Sequence, residues 1–238
     1  MSGVIIEEIN LNVSDGTIMP AFVAKPKSSD KHPAIFVFHE AYGVNAHIRD
    51  IAERFAEENY IAIAPELFHR TEIHFEGDYN NFEGTRKYIQ ALTNDGLIAD
   101  IEAANKWLRN EARILNDEVA SIGFCMGGRV SFLANAVVTL KASISFYGGG
   151  ITGILDRVPQ MQAPQLMFWG GLDKHISEDQ IQAVTNALKI NNKKYVNVIL
   201  SDADHGFFCD MRQSYNPLAA KQAWSLVNEF LNSYVKKN

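Results

Sequence analysis

Short apolar segments alternate with amphipathic segments along most of this chain. Continuous apolar runs such as Ala34–His39 (AIFVFH) have the length of a strand and suit strands that are covered on both faces. Asp15-Gly16 lies between two strand-like segments and indicates a hairpin turn, because glycine accepts a positive φ at little cost. The predicted strands are Val4–Val13, Thr17–Ala24, Ala34–His39, Tyr60–Ala64, Val119–Phe124, Ala142–Tyr147, Gln165–Trp169 and Tyr195–Leu200.

Amphipathic patterns between the predicted strands indicate helices. The clearest helix begins near Pro217, which suits a first turn, and it carries Trp224 and Val227 on its apolar face. Asn94 is expected to cap an earlier helix. Further helices are predicted at Ala46–Glu58, 126–138 and 178–190, and the polar and aromatic segment Glu66–Asn81 is interpreted as a surface excursion.

Strands that alternate with helices are typical of a mostly parallel sheet with helices on both faces. The sequence therefore predicts one α/β domain over residues 1–238 with an N-terminal β-hairpin, since no repeat or linker divides the chain. Ligands in such sheets bind beyond the carboxyl ends of the strands. The residues directly after each strand are thus the candidates for chemistry.

Composition excludes several classes of protein. The chain has 22 Lys+Arg and 28 Asp+Glu, and its net charge of −6 lacks the positive footprint of a nucleic-acid binder. No apolar run approaches the roughly 18–20 residues of a membrane span, and the N-terminus has no basic region of the kind that begins a signal peptide. Two cysteines do not make a disulfide scaffold. We expect a cytoplasmic protein without a membrane or nucleic-acid partner, as a monomer or small homo-oligomer.

The first chemical motif is Gly123-Phe124-Cys125-Met126-Gly127-Gly128, between a predicted strand and a predicted helix. Gly-x-Cys-x-Gly has the form of a nucleophile elbow with cysteine in place of serine. The flanking glycines leave room for a sharp turn, and the positive end of the helix favours a thiolate. The N–H of Met126 is a candidate oxyanion donor. The alternatives are a buried structural cysteine and, with poorer spacing, a phosphate-binding glycine turn.

An acid and a base follow later strands in the order of an α/β-hydrolase triad. Asp173 follows one predicted strand and His205 follows the next, so the order is nucleophile, acid, histidine. Asp173 could instead be a turn residue. His175 is a rival base, and Asp202 and Asp204 are rival orienting acids.

Glu40 follows the predicted strand Ala34–His39 and is a fourth candidate. Near a thiol its carboxylate could accept a proton or oppose a thiolate by repulsion. A salt-bridge partner or an acid at a helix entry is the alternative. The N–H of Ala41 is the second candidate oxyanion donor.

With these residues in place, the chain resembles the dienelactone hydrolase family of α/β-hydrolases. The resemblance implies an α/β-hydrolase fold without a metal or organic cofactor, catalytic roles for Cys125, Asp173 and His205, and a role for Glu40 in tuning the elbow. It implies hydrolysis of small activated esters or lactones through an acyl-cysteine, the type substrate being an unsaturated, carboxylate-bearing enol lactone. The resemblance covers nearly the whole chain and rests on Glu40-Ala41-Tyr42-Gly43-Val44-Asn45, Ala64-Pro65-Glu66-Leu67, Gly123-Phe124-Cys125-Met126-Gly127-Gly128, Tyr147-Gly148, Gly171-Leu172-Asp173 and His205-Gly206-Phe207.

The chain departs from the family pattern at the site for the substrate carboxylate. In the type enzymes an arginine follows the catalytic histidine by four positions, and this chain has Cys209 there. Arg212 is nearby and remains a possible anion partner, since an anion in a dry pocket favours a bidentate arginine. The candidate substrate-binding residues are Arg86, Tyr147, Arg70 and Phe207.

Other functions remain open on sequence grounds. The fold could serve as a catalytically silent binding module, since a fold does not fix a function. Cys125 and Cys209 could form a redox pair, although they make no Cys-x-x-Cys motif. His69 with His74 and His205 with Cys209 have spacings that metal ligands use, but each pair lacks the further ligands of a zinc site. We therefore predict no metal.

Overall fold

The computed structural model describes residues 3–236, apart from the side chains of residues 116 and 117. Within these residues, eight strands form one sheet in the order β1-β2-β4-β3-β5-β6-β7-β8. The pairs β1/β2 and β2/β4 are antiparallel, and all other neighbours are parallel. The strands are β1 (Val4–Asn12), β2 (Ile18–Pro26), β3 (His32–Phe38), β4 (Ile61–Pro65), β5 (Ile114–Phe124), β6 (Ala142–Phe146), β7 (Gln165–Gly170) and β8 (Tyr195–Leu200).

Continuous apolar sequence coincides with the inner parallel strands. Every residue of β3, β4, β6 and β7 is buried, because helices cover both faces of the sheet there. The predicted hairpin forms at the antiparallel edge. Its turn is closed by Asp15, whose Oδ1 accepts hydrogen bonds from the N–H and Oγ1 of Thr17 at 3.0 and 2.6 Å. The predicted mostly parallel α/β fold is confirmed.

Helices connect the parallel strands. α1 and α6 are in contact through the Phe55 and Trp224 rings, whose centroids are 5.0 Å apart. The prediction that Asn94 caps α3 is wrong by one residue, because the Thr93 side chain accepts the bond from the Gly96 N–H and Asn94 is the first helical residue. The helices are α1 (Ala46–Glu57), α2 (Phe82–Ala91), α3 (Asn94–Asn110), α4 (Met126–Val137), α5 (Glu178–Ile190) and α6 (Pro217–Tyr234).

Two helical segments were not predicted. α2 buries only Thr85 and Tyr88, and Ile151–Gln160 forms a 3-10 helix that contains Pro159. The excursion between Glu66 and Asn81 forms no strand or helix, but its first part is not a surface segment. Leu67 and Phe68 are buried in the core and tie this segment to the sheet.

A buried polar cluster attaches the same segment to α3. Asp100 is completely buried and accepts hydrogen bonds from His69 Nε2 at 3.0 Å and from both terminal nitrogens of Arg70 at 2.9 Å. Arg70 also contacts Asp15 of the hairpin at 2.7 Å. The predicted substrate-binding residue Arg70 is thus fully engaged in a contact between the hairpin, the 66–81 segment and α3.

We expect Asp100→Ala to lower the free energy of unfolding by about 1–3 kcal/mol, because it leaves the buried imidazole of His69 without its acceptor and removes two hydrogen bonds from Arg70. Urea denaturation followed by circular dichroism measures the change. Asp95→Ala is the matched control. Asp95 is exposed in the first turn of the same helix, and its loss should cost less than about 1 kcal/mol. Equal effects of the two substitutions would contradict a stabilising role for the buried cluster.

Candidate active site

The cysteine elbow has the backbone that its sequence pattern predicts. Cys125 follows β5 directly, precedes α4 and has φ 54° and ψ −117°, a strained conformation for a residue with a side chain. A Cβ on Gly123 would lie 1.9 Å from the carbonyl oxygen of Gly127. Only glycine therefore allows the strand and the helix to approach this closely, and the turn holds the half-buried Cys125 at the carboxyl end of the sheet.

The ends of three parallel strands bring Cys125, Asp173 and His205 together. The imidazole of His205 contacts Cys125 Sγ through Nε2 at 3.1 Å and Asp173 Oδ2 through Nδ1 at 2.7 Å. The Asp173 side chain is buried, whereas that of His205 keeps a small exposed fraction. With Nδ1 donating to the carboxylate, Nε2 faces the sulfur, which is the orientation required for proton exchange with a thiol.

The charges of this group shift two pKa values in opposite directions. Burial lowers the pKa of His205, but the neighbouring Cys125 thiolate and Asp173 carboxylate outweigh it and raise that pKa to about 10. Burial likewise raises the pKa of Asp173, but hydrogen bonding to His205 outweighs it and the net shift is downward. The arrangement therefore favours the imidazolium form of His205 and the carboxylate form of Asp173.

Asp173 is both a turn residue and the partner of His205. Its Oδ1 accepts hydrogen bonds from the N–H groups of His175 and Ile176 at 2.7 and 3.3 Å, while Oδ2 is left for the imidazole. Asp173 is therefore a turn residue through Oδ1 and a partner of His205 through Oδ2, so its two sequence interpretations do not exclude each other. The rival acid Asp204 instead accepts the N–H of His205 at 2.6 Å.

Glu40 is completely buried beside the elbow and is paired with Arg212. The Arg212 guanidinium donates to Glu40 Oε1 at 3.1 Å, and Oε2 has no partner in the part of the chain that the structure describes. Burial lowers the pKa of Arg212, but the charges of Glu40 and then Tyr147 and Cys125 outweigh it and raise the pKa. The guanidinium is therefore a permanent cation at this site.

Gly206 makes room for that arginine. Gly206 has φ +78°, and a Cβ there would lie 2.3 Å from the terminal nitrogen of Arg212. The glycine that follows the histidine thus permits Arg212, seven positions after His205, to reach the sheet end from a loop. The chain has Cys209 four positions after His205, where the type enzymes have an arginine. Arg212, three positions further on, contacts Glu40 in this chain.

His39 was not among the predicted site residues, although it directly precedes Glu40. Its Nδ1 donates to the carbonyl oxygen of Glu40 at 2.6 Å, and its Nε2 accepts the N–H of Leu67 at 3.1 Å. Complete burial lowers the pKa of His39 to about 4, so the ring is neutral and makes both contacts. His39 thereby fixes the backbone on which Glu40 and Ala41 are carried.

The other predicted substrate-binding residues lie in different places. Tyr147 and Phe207 are fully buried: the Tyr147 ring packs at a tilt against that of His205, with centroids 5.1 Å apart, and Phe207 packs edge-on against Tyr147. Arg86 is exposed on α2 and pairs with Glu83 at 3.3 Å. Arg70 is held by Asp100 and Asp15. Neither it nor Arg86 contacts the cysteine, aspartate and histidine described above.

A cavity of about 650 Å³ opens over His205. The amide groups of Ala41 and Met126 donate to no acceptor in residues 3–236, as free oxyanion donors would. The residues that line the cavity are Tyr79, Asn80, His175, Asp204, His205, Met211, Arg212, Gln213 and Ser214.

The histidine pairs with metal-like spacing have other partners. His69 contacts Asp100, and His74 contacts Glu66 at 2.7 Å. Ligand atoms of His47, Cys209 and Asp210 lie within 4.8 Å of one another. Burial and the Glu40 charge raise the pKa of the Cys209 thiol to about 11, however, so this cluster is poorly suited to bind a metal as a thiolate. Among the described residues, no helix has the length and apolarity that crossing a membrane requires.

Comparisons with known proteins identify the family to which the chain belongs. The model of the "Dienelactone hydrolase family" matches residues 19–235. A "Putative carboxymethylenebutenolidase" from Synechocystis is 33% identical over 228 residues, which cover 90% of this chain and 92% of the relative. One of the same name from Escherichia coli K12 is 34% identical over 93% of this chain and 84% of its own length.

Solved structures extend the comparison to three dimensions. The crystal structure of a "Putative Dienelactone Hydrolase" from Klebsiella pneumoniae superimposes with a TM-score of 0.86 at 30% identity and covers 97% of this chain and 99% of its own. A "Dienelactone Hydrolase-like Promiscuous Phospotriesterase" from metagenomic libraries shares the fold with a TM-score of 0.87 at 20% identity. This chain therefore belongs to the dienelactone hydrolase family, and it is a carboxylic ester hydrolase with the α/β-hydrolase fold.

Proposed function

We propose that the protein hydrolyses small activated esters or lactones through a covalent acyl-cysteine on Cys125. The observation that carries the proposal is the imidazole of His205, which contacts Cys125 Sγ at 3.1 Å and Asp173 Oδ2 at 2.7 Å. A nucleophile, a base and an orienting acid in this geometry are the machinery of acyl transfer.

In the first half-reaction the Cys125 thiolate attacks the ester carbonyl carbon. A carbon–sulfur bond forms, and the carbonyl electrons move to the oxygen, which the N–H groups of Ala41 and Met126 stabilise. One such donor contributes about 3 kcal/mol in comparable sites. The carbon–oxygen bond then breaks, and the leaving oxygen takes the proton from His205 Nε2.

The second half-reaction releases the acid. His205, now neutral, removes a proton from water as the water oxygen attacks the thioester carbon. The carbon–sulfur bond breaks and the thiolate leaves beside the imidazolium. Asp173 keeps the imidazole in the required tautomer throughout. A thiolate is a better leaving group than an amide nitrogen, so activated esters and lactones suit this site better than peptides.

Glu40 sets the electrostatics of the elbow. A buried carboxylate near the thiol opposes an additional anion unless a cation balances it. Arg212 provides that balance here through its 3.1 Å contact with Glu40. Arg212 also lines the cavity, where its guanidinium is placed to bind a carboxylate on the substrate.

The structure favours this function over a thiol redox role. Cys209 is completely buried and its Sγ lies 3.3 Å from Tyr79 Oη. Because its pKa is raised to about 11, its reactive thiolate is scarce at neutral pH. Cys125 is the more accessible thiol of the two, and its Sγ lies 3.1 Å from His205 Nε2.

Cys125→Ala should lower kcat/KM for a 4-nitrophenyl ester by at least about 10³-fold, since it removes the nucleophile. Mass spectrometry of the wild-type protein quenched during turnover should show one acyl group on the peptide that contains Cys125. An acyl group on the Cys209 peptide, or an alanine variant with nearly wild-type activity, would contradict the assignment of the nucleophile.

The pKa of His205 should fall by on the order of 1–3 units in Cys125→Ala, because the sulfur anion no longer stabilises the imidazolium while burial still opposes it. The imidazolium of the wild-type enzyme should therefore persist until the pH approaches 10, and that of the variant should be lost at lower pH. Carbon-13 NMR of labelled histidine measures both titrations. Identical titrations would show that the sulfur and the ring do not interact.

Glu40→Gln should slow acylation on the order of 10²-fold without unfolding the protein, because it removes the buried carboxylate that can accept the proton of the Cys125 thiol before attack. Rapid-mixing measurement of the 4-nitrophenolate burst gives this rate. Glu76→Gln is the matched control, since Glu76 also pairs with an arginine, Arg49 at 2.6 Å, but in an exposed position. A burst rate that is unchanged in Glu40→Gln would remove Glu40 from the mechanism.

A further inference from the structure

Tyr79 places a phenolic hydroxyl in the wall of the catalytic cavity. It lines the same cavity as His205 and Arg212, although it belongs to the irregular segment before α2. Its ring lies 4.4 Å from the ring of Tyr42, centroid to centroid, and 6.0 Å from the guanidinium carbon of Arg212. These contacts hold the Tyr79 ring beside Arg212.

The hydroxyl oxygen accepts a hydrogen bond from Asn45 Nδ2 at 2.8 Å. The orientation of that amide follows from the helix it caps. Asn45 Oδ1 accepts the N–H of Ile48 as the N-cap of α1, so Nδ2 must be the group that faces Tyr79. An amide nitrogen can only donate, and it therefore occupies one lone pair of the hydroxyl oxygen.

Cys209 Sγ is a second donor to the same oxygen, at 3.3 Å. Burial and the nearby Glu40 charge keep this thiol protonated, so its S–H is a donor. Burial and the Glu40 charge also raise the pKa of Tyr79, so the phenol keeps its own hydrogen. With Asn45 and Cys209 both donating to the oxygen, neither contact uses the phenolic hydrogen.

We propose that Tyr79 determines specificity by donating its phenolic hydrogen to an oxygen on the acyl part of the substrate, at the position where Arg212 also binds. The inference rests on the proposed function, because it presumes an acyl group on Cys125. A donor and a cation that converge on one position select an acyl chain that carries an acceptor oxygen, above all a carboxylate. Substrates that lack this oxygen leave the hydroxyl without a partner and are rejected.

The test compares two esters with the same leaving group and the same acyl length. 4-Nitrophenyl hydrogen glutarate carries the terminal carboxylate, and 4-nitrophenyl valerate lacks it. Tyr79→Phe should lower kcat/KM for the glutarate ester by about 10- to 100-fold, mainly by raising KM, because one hydrogen bond to a charged group is lost. The same variant should hydrolyse the valerate ester within about twofold of wild type.

Tyr88→Phe is the matched control. Tyr88 also carries a buried phenol, which donates to Glu72, and its ring stacks on Phe75 of the same segment at 3.7 Å, but it does not line the cavity. Its variant should treat both esters as the wild type does. Equal losses on the two esters in Tyr79→Phe, or the same selective loss in Tyr88→Phe, would show that the phenol only orders the segment and would overturn the proposal.

The acylation burst separates this inference from the function on which it rests. A 4-nitrophenolate burst from the valerate ester that is kept in Tyr79→Phe and lost in Cys125→Ala would support the acyl-cysteine. If that burst is kept while both tyrosine variants keep wild-type selectivity, the role of Tyr79 fails alone. If the wild-type protein forms no acyl-Cys125 with either ester, the proposed function fails and the role of Tyr79 with it.

Discussion

The two hydrogen bonds of one imidazole join the separate parts of this site. His205 follows β8, Asp173 follows β7 and Cys125 follows β5, so contacts of 2.7 and 3.1 Å depend on the register of strands that are distant in sequence. Parallel pairing makes this possible, because it directs the carboxyl ends of all three strands to the same edge of the sheet. The extensive buried core is what holds that register.

Charge balance is the second constraint on the site. Two buried carboxylates, Glu40 and Asp173, lie at the same end of the sheet as Cys125. One permanent cation, Arg212, and one titrating cation, His205, offset these negative charges. These two cations offset the negative potential locally, whereas the net charge of −6 on the whole chain adds to that potential at long range. The exposed side of Arg212 leaves it available to an incoming anion.

The sequence predicts local features of this site better than distant ones. Cys125 could be recognised because its strand, glycines and helix are adjacent in the chain, and the fold followed from apolar runs of strand length. α2 was missed because only two of its residues face the core. The contact of Arg212 with Glu40 spans 172 positions and needs the backbone of Gly206, which no local pattern reveals. For the same reason the role of His39, held by Leu67 from a different loop, emerges only in three dimensions.

The burial of Cys209 has a practical consequence. The chain contains two cysteines, one half-buried at the elbow and one enclosed beneath the cavity wall. A bulky maleimide would modify Cys125 in the native fold. It would reach Cys209 only when the residues that cover this cysteine move apart. Once Cys125 has been blocked by an irreversible alkylating reagent, the rate at which Cys209 is labelled measures how often its packing against Tyr79 opens in the native protein.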